Sequence, residues 1–129
     1  MRSVARLLQS DGWNAIGVYL IDATFATDAA KLLSGNLAAL AAMMHLELPH
    51  LNVLTKCDIV GKEVWGRFLS PSGVDLLAEL SASTPPRFRS LNGAMARLLD
   101  DFSMVQFLPL DPSDEESLEI VLGSADRVL

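Results

Sequence analysis

The chain is poor in cysteine, in positive charge and in long apolar runs. Its 129 residues include one cysteine, Cys57, so neither an internal disulfide nor a multi-cysteine metal site can form. A lone thiol fits a reducing compartment. Ten Lys and Arg stand against 16 Asp and Glu, a formal charge of −6 at pH 7. No basic patch exists to track a phosphate backbone, which argues against nucleic-acid binding. Arg2, Arg6, Gln9, Ser10 and Asp11 interrupt any signal-peptide core in residues 1–12. The most apolar stretch, residues 37–48, is too short to span a membrane and carries His45 and Glu47. These absences predict a soluble, cytoplasmic protein with no nucleic-acid or membrane partner. Also missing are the Gly-x-x-x-x-Gly-Lys-Ser/Thr loop that cradles nucleotide phosphates and the Gly-x-Ser-x-Gly of serine hydrolases. There is no Cys/His/Asn arrangement, no internal repeat and no low-complexity segment.

What is present is one domain's length of chain, half of it hydrophobic, enough for a sizeable core. Three short apolar runs bounded by breakers read as strands covered on both faces: residues 16–21 (IGVYLI), 51–54 (LNVL) and 105–110 (VQFLPL). Each is followed by a helical pattern, so right-handed crossovers and a parallel α/β sheet are expected.

The helix after the first strand is expected over residues 25–46, apolar around most of its circumference. Gly35, Ala38, Ala39 and Ala42 recur at helical spacing and would let another element approach closely, either the chain's own sheet or a second subunit. Short helices are expected over 62–69 and 74–80, separated by Ser70, Pro71, Ser72 and Gly73, with a surface loop over 81–86. Phe88, Leu91, Met95, Leu98, Leu99 and Phe102 fall on one helical face. Ser113 with Glu116 forms a capping-box pattern, and the acidic run 113–116 complements a helix N-terminus. Leu118, Val121, Leu122, Ala125 and Val128/Leu129 form that last helix's expected buried stripe.

Chemistry concentrates at Thr55-Lys56-Cys57-Asp58, where the second strand ends. In open α/β sheets ligands bind beyond the carboxyl ends of the strands. Guanine offers two adjacent donors, N1–H and the exocyclic amine, and the Asp58 carboxylate can accept both. Adenine lacks the pair and would leave buried groups unmatched. Lys56 can lay its aliphatic stem along a base while its ammonium stays hydrated or bonds a neighbouring loop. Thr55 can brace the loop or bond near the base. Cys57 reads as a small packed residue rather than a nucleophile. Such a tetrad arises by chance in roughly one chain in a few tens at this length, so its place after an apolar strand carries the weight. Asp22, at the end of the first strand, either caps the next helix or contacts a ligand. His45 and His50 have no partner at metal-ligand spacing.

The runs VYLID (18–22), KLLSGNLAAL (31–40), LELPHLNVLTKCD (46–58) and DDFSMVQFLPLDPSDEES (100–117) together resemble the GPN-loop GTPases, a branch of the P-loop GTPases, over nearly the whole chain. The resemblance implies a doubly wound α/β fold that binds GTP or GDP with Mg²⁺ and hydrolyses GTP. It implies pairing with a paralogous GPN-loop GTPase or with itself. It also implies support of RNA polymerase II assembly and nuclear import, with indirect contact to polymerase subunits or assembly factors, and shuttling between cytoplasm and nucleus.

Within that resemblance Thr55, Lys56 and Asp58 match the guanine-specificity motif, and Leu108, Pro109 and Leu110 match the region that closes over the base. The family's P-loop, magnesium-binding Asp, Asp-x-Pro-Gly switch and Gly-Pro-Asn loop have no counterpart here. Residues 1–10 resemble the tail of the helix that comes after the switch. The expectation is a C-terminal half-domain over residues 1–129, three strands alternating with helices, without catalytic residues or metal ligands of its own. It should turn over no GTP alone, bind guanine nucleotides weakly, and leave a sheet edge and apolar helix faces uncovered. The alternative is a non-catalytic module that binds a paralogous GTPase through the 25–46 helix.

Overall fold

A computed structural model describes residues 1–69, 73–101 and 106–129. Three parallel strands, β1 (Gly17–Asp22), β2 (His50–Thr55) and β3 (Phe107–Pro109), form one sheet in the order β1-β2-β3. The mixed α/β fold expected from the alternating pattern is present, with shifted boundaries. β1 starts one residue late, because the Gly17 amide donates to the Pro49 carbonyl and Gly17 pairs with His50. It runs on through Asp22, which pairs with Thr55. β3 is shorter than expected, and Val105 lies outside the described residues. Pro109 lacks an N–H, which an edge strand tolerates.

The helix expected over 25–46 is two elements. Residues Ala23–Thr27 form a 3-10 turn, and α2 (Ala29–Leu46) starts afresh. Asp22 accepts from the Thr24 amide and Asp28 from the Ala30 amide, so two successive side-chain caps divide the segment. α2 has the length and mean hydropathy (1.2 over 18 residues) of a membrane span. That apolar character goes into the core, since Leu32, Leu33, Ala39 and Leu40 are buried together with Ile21 and Leu54 of the sheet. A Cβ at Gly35 would collide with the Ile21 δ-methyl, so the close approach there is to the chain's own sheet. Ala38, by contrast, faces solvent.

Phe68 follows the short α3 (Lys62–Trp65) and is fully buried, its ring edge-on to Phe107 at 5.1 Å. Burial of such a ring is worth roughly 1.5–3 kcal/mol. Ser70, Pro71 and Ser72 lie outside the described residues. α4 (Gly73–Ser83) and α5 (Arg89–Asp101) pack against each other and on α2. The loop expected over 81–86 shrinks to Thr84 and Pro85. The Ser83 and Thr84 hydroxyls donate back to the carbonyls of Glu79 and Leu80, prolonging α4. Asn92 then ties Thr84 to α5.

Two expected apolar faces are covered only in part. On α5 Asn92 and Ala96 are buried and Met95 packs against the core, while Phe88, Leu91 and Leu98 face solvent; the Leu99 side chain and Phe102 lie outside what the structure describes. On α6 (Glu115–Val128) Leu118, Leu122, Val128 and Leu129 are exposed. Val121 and Ala125 of the expected stripe are half-buried, and Ser117 and Ser124 join them on that face. Periodicity identified the face but not its cover: three strands are too narrow to bury it. The cap of α6 is Asp114, which accepts from the Glu116 amide, because Ser113 bonds Asp111 through both its amide and its hydroxyl.

Candidate functional site

The ligand edge of the sheet is built by three strand ends. Asp22 closes β1, Thr55 closes β2 in register beside it, and Leu110 follows β3. Thr55 donates its hydroxyl to the Ile21 carbonyl at 3.2 Å, which stitches the tetrad to β1. On the other side the Leu110 amide donates to the Leu54 carbonyl at 2.7 Å and the Cys57 amide to the Leu110 carbonyl at 3.2 Å. The tetrad is therefore clamped between both neighbouring strands.

Lys56 adopts φ 59°, the left-handed region that non-glycine residues occupy only when their surroundings fix them. The turn closes with the Ile59 amide on the Lys56 carbonyl at 3.1 Å. Cys57 is buried, and its thiol donates to the Leu54 carbonyl at 3.3 Å. Burial pushes that thiol's pKa up, against the Leu110 hydrogen bond and helped by the Asp111 and Asp58 carboxylates. It stays a neutral packing group and not a nucleophile.

Asp58 is exposed, and among the described residues its carboxylate has no hydrogen-bond or ion-pair partner. It is an open double acceptor at the edge where ligands bind. Asp22 is occupied. Its Oδ1 accepts from the Thr24 amide and hydroxyl, both at 2.9 Å, and its Oδ2 lies 3.1 Å from the Lys56 ammonium. The Thr24 amide above all holds the Asp22 carboxyl below its ordinary 3.8, with the Thr24 hydroxyl and Lys56 assisting and burial opposing.

Leu108, Pro109 and Leu110 are half-buried; Pro109 lines a cleft of about 200 Å³ at the start of α6, while Leu108 lines a different one with His50 and Asn52. Cys57, Trp65, Pro109, Asp111, Asp114 and Ser117 line the first. Trp65, Asp111 and Ser117 were not singled out from the sequence. Ser117 donates to the Asp111 carbonyl at 2.9 Å, and the Asp-Pro-Ser run that folds this turn was the available signal. His50 sits at the opposite end of β2, where burial pushes its pKa below 6.5 against a hydrogen bond to Asn52. His45 is exposed near the end of α2.

The donor set suits a base rather than phosphates or a metal. Among the described residues no group of three or more His, Cys, Asp or Glu could hold an ion. Nothing at the exit of β1 resembles a glycine-rich cradle, as the Ala23–Thr27 turn there is capped by Asp22 itself.

The family model described as "Conserved hypothetical ATP binding protein" matches residues 1–129. The chain is 41% identical to GPN-loop GTPase 3 of Kluyveromyces lactis over 98% of its length and 48% of that protein's. For GPN-loop GTPase 3 of Saccharomyces cerevisiae the identity is 40% over 97% of the chain and 48% of the relative. For that of Xenopus tropicalis it is 40% over 98% and 46%. No solved structure matches. The chain thus spans about half the length of the curated relatives it matches. It belongs to the family this model describes, the one that holds the GPN-loop GTPases.

Proposed function

We propose that this chain is the guanine-reading half of a nucleotide-binding domain that, when intact, binds GTP with Mg²⁺ and hydrolyses it. One observation carries the reading: the free Asp58 carboxylate stands at the carboxyl edge of the central strand, in a loop fixed from both sides. The family description names ATP and the relatives' names say GTP. A carboxylate in this position accepts from N1–H and the exocyclic amine of guanine, while adenine would set an acceptor nitrogen against it. Guanine is therefore the base.

Phosphate and Mg²⁺ contacts supply most nucleotide affinity, and among the described residues no group of three or more His, Cys, Asp or Glu could hold a metal ion. Among the described residues no strand pairs with the edge of β1 away from β2, and further strands of such a sheet would pair there. The resemblance further suggests that the intact GTPase pairs with a paralogue or itself, and that it serves RNA polymerase II assembly and import between cytoplasm and nucleus. The exposed side of α2, with Ala38, Ala41 and Met44, would suit such a pairing.

Titration of the chain with GMP and AMP, followed by amide resonances, tests the reading. GMP should shift residues 55–58 and 108–110 at millimolar concentration and AMP should shift them far less. Equal responses would overturn it. The chain alone should turn over no GTP, and measurable turnover would contradict the division of labour.

A further inference from the structure

Asp22 caps the Ala23–Thr27 turn, one of the two roles read from the sequence, and its second oxygen gives it a further contact. Its two oxygens are divided. Oδ1 is held by the Thr24 amide and hydroxyl, both at 2.9 Å, which fixes the plane of the carboxylate. Oδ2 is left for the Lys56 ammonium at 3.1 Å. Both oxygens are thus already engaged within the chain. Lys56 in turn is held in its left-handed conformation by the Thr55, Cys57 and Ile59 hydrogen bonds around it.

We propose that Asp22 is a positioning residue for base recognition: it pins the Lys56 ammonium at the exit of β1, so that the lysine's aliphatic stem forms a fixed ledge next to Asp58. This rests on the guanine reading of the tetrad. A lysine side chain has many rotamers, and one anchored at its tip presents its methylenes as a preordered apolar surface, which sets the plane in which a base edge meets the Asp58 carboxylate and so the preference between bases. The ion pair is substantially open to water, with Asp22 30% and Lys56 56% exposed, so it contributes little to folding. Its effect belongs in recognition.

The test uses the whole chain with GMP and AMP as probes. Asp58→Ala should erase the preference for GMP. Asp22→Asn, which keeps an acceptor for Thr24 but removes the charge, should lower that preference about three- to five-fold, the most an exposed ion pair supports. Asp22→Glu should restore part of it, because the longer carboxylate still reaches Lys56. A merely structural role would move the melting temperature without moving the GMP-to-AMP ratio. If Asp58→Ala erases the preference and Asp22→Asn leaves it unchanged, the positioning role is wrong and the guanine reading stands. If the wild-type chain shows no preference, or Asp58→Ala does not change it, both fall. A second measurement needs no ligand. The Lys56 ε-methylene proton shifts should follow the ionisation of Asp22 below its ordinary 3.8 and be flat in Asp22→Asn; a flat wild-type titration would overturn the contact itself.

Discussion

The two faces of β1 are covered very differently. On one, Ile21 is buried against α2 beside Leu33 and Leu54, and Gly35 gives its δ-methyl room. On the other, Val18 and Leu20 are 47% and 62% exposed. α6 packs on β2, where Val53 of the same outer face is buried, but leaves β1 bare. The edge of β1 away from β2 carries no strand among the described residues. β1 thus has one face covered and one open, in a chain that spans about half the length of its relatives. The tetrad is tied to β1 by the Thr55 hydroxyl and to the β3 exit by backbone hydrogen bonds, so its geometry does not depend on whatever covers the bare face.

Mutation should separate the faces most strongly in stability. Phe68→Ala removes a fully buried ring and should cost about 3–5 kcal/mol in denaturant unfolding. Leu20→Thr on the bare face should stay within about 0.5 kcal/mol. Equal costs would mean that the outer face of β1 is packed in solution. The bare face should also show itself in association: Val18→Lys with Leu20→Glu should reduce concentration-dependent self-association, measured by light scattering. A wild-type chain that stays monodisperse at high concentration would break the comparison.

A smaller effect tests why one expected helix became two elements. Asp28→Ala should cost about 1 kcal/mol through the lost cap on the Ala30 amide, read by thermal melting. The smallest effects are in pH. The folded pKa of Asp22 lies below 3.8, so its contribution is present above that value and fades as pH falls through the folded pKa. Asp22→Asn should flatten that part of the acid limb. His50 is favoured neutral, so stability should start to fall as pH drops below 6.5, and His50→Asn should remove that slope.

Much of the fold was legible because strands entered through breakers and alternating with helices leave few topologies. Three readings went astray for one physical reason. The 25–46 segment, the 81–86 loop and the Ser113 cap all turned on which short polar side chain captured which backbone group. Asp28 split a helix, Thr84 lengthened one, and Asp111 took Ser113 away from its cap. Those competitions lie within about 1 kcal/mol and periodicity does not register them. The stripes on α5 and α6 were legible as faces, but how much of each is covered was not, since cover depends on the elements packed against them. At the site, the tetrad's place at the end of β2 followed from strand order. The Lys56–Asp22 pair did not, because it joins residues of different strands through a backbone turn with positive φ.

The central claim is that Asp58 reads guanine, and its chemistry admits a reversal as well as a loss. Xanthine carries a carbonyl where guanine carries the exocyclic amine, so an amide side chain can donate where the carboxylate accepted. GMP and XMP titrated into the wild-type chain and into Asp58→Asn test this directly. The wild type should prefer GMP and the variant XMP; an unchanged order of preference in the variant would contradict the assignment of Thr55–Asp58 as the base-reading loop.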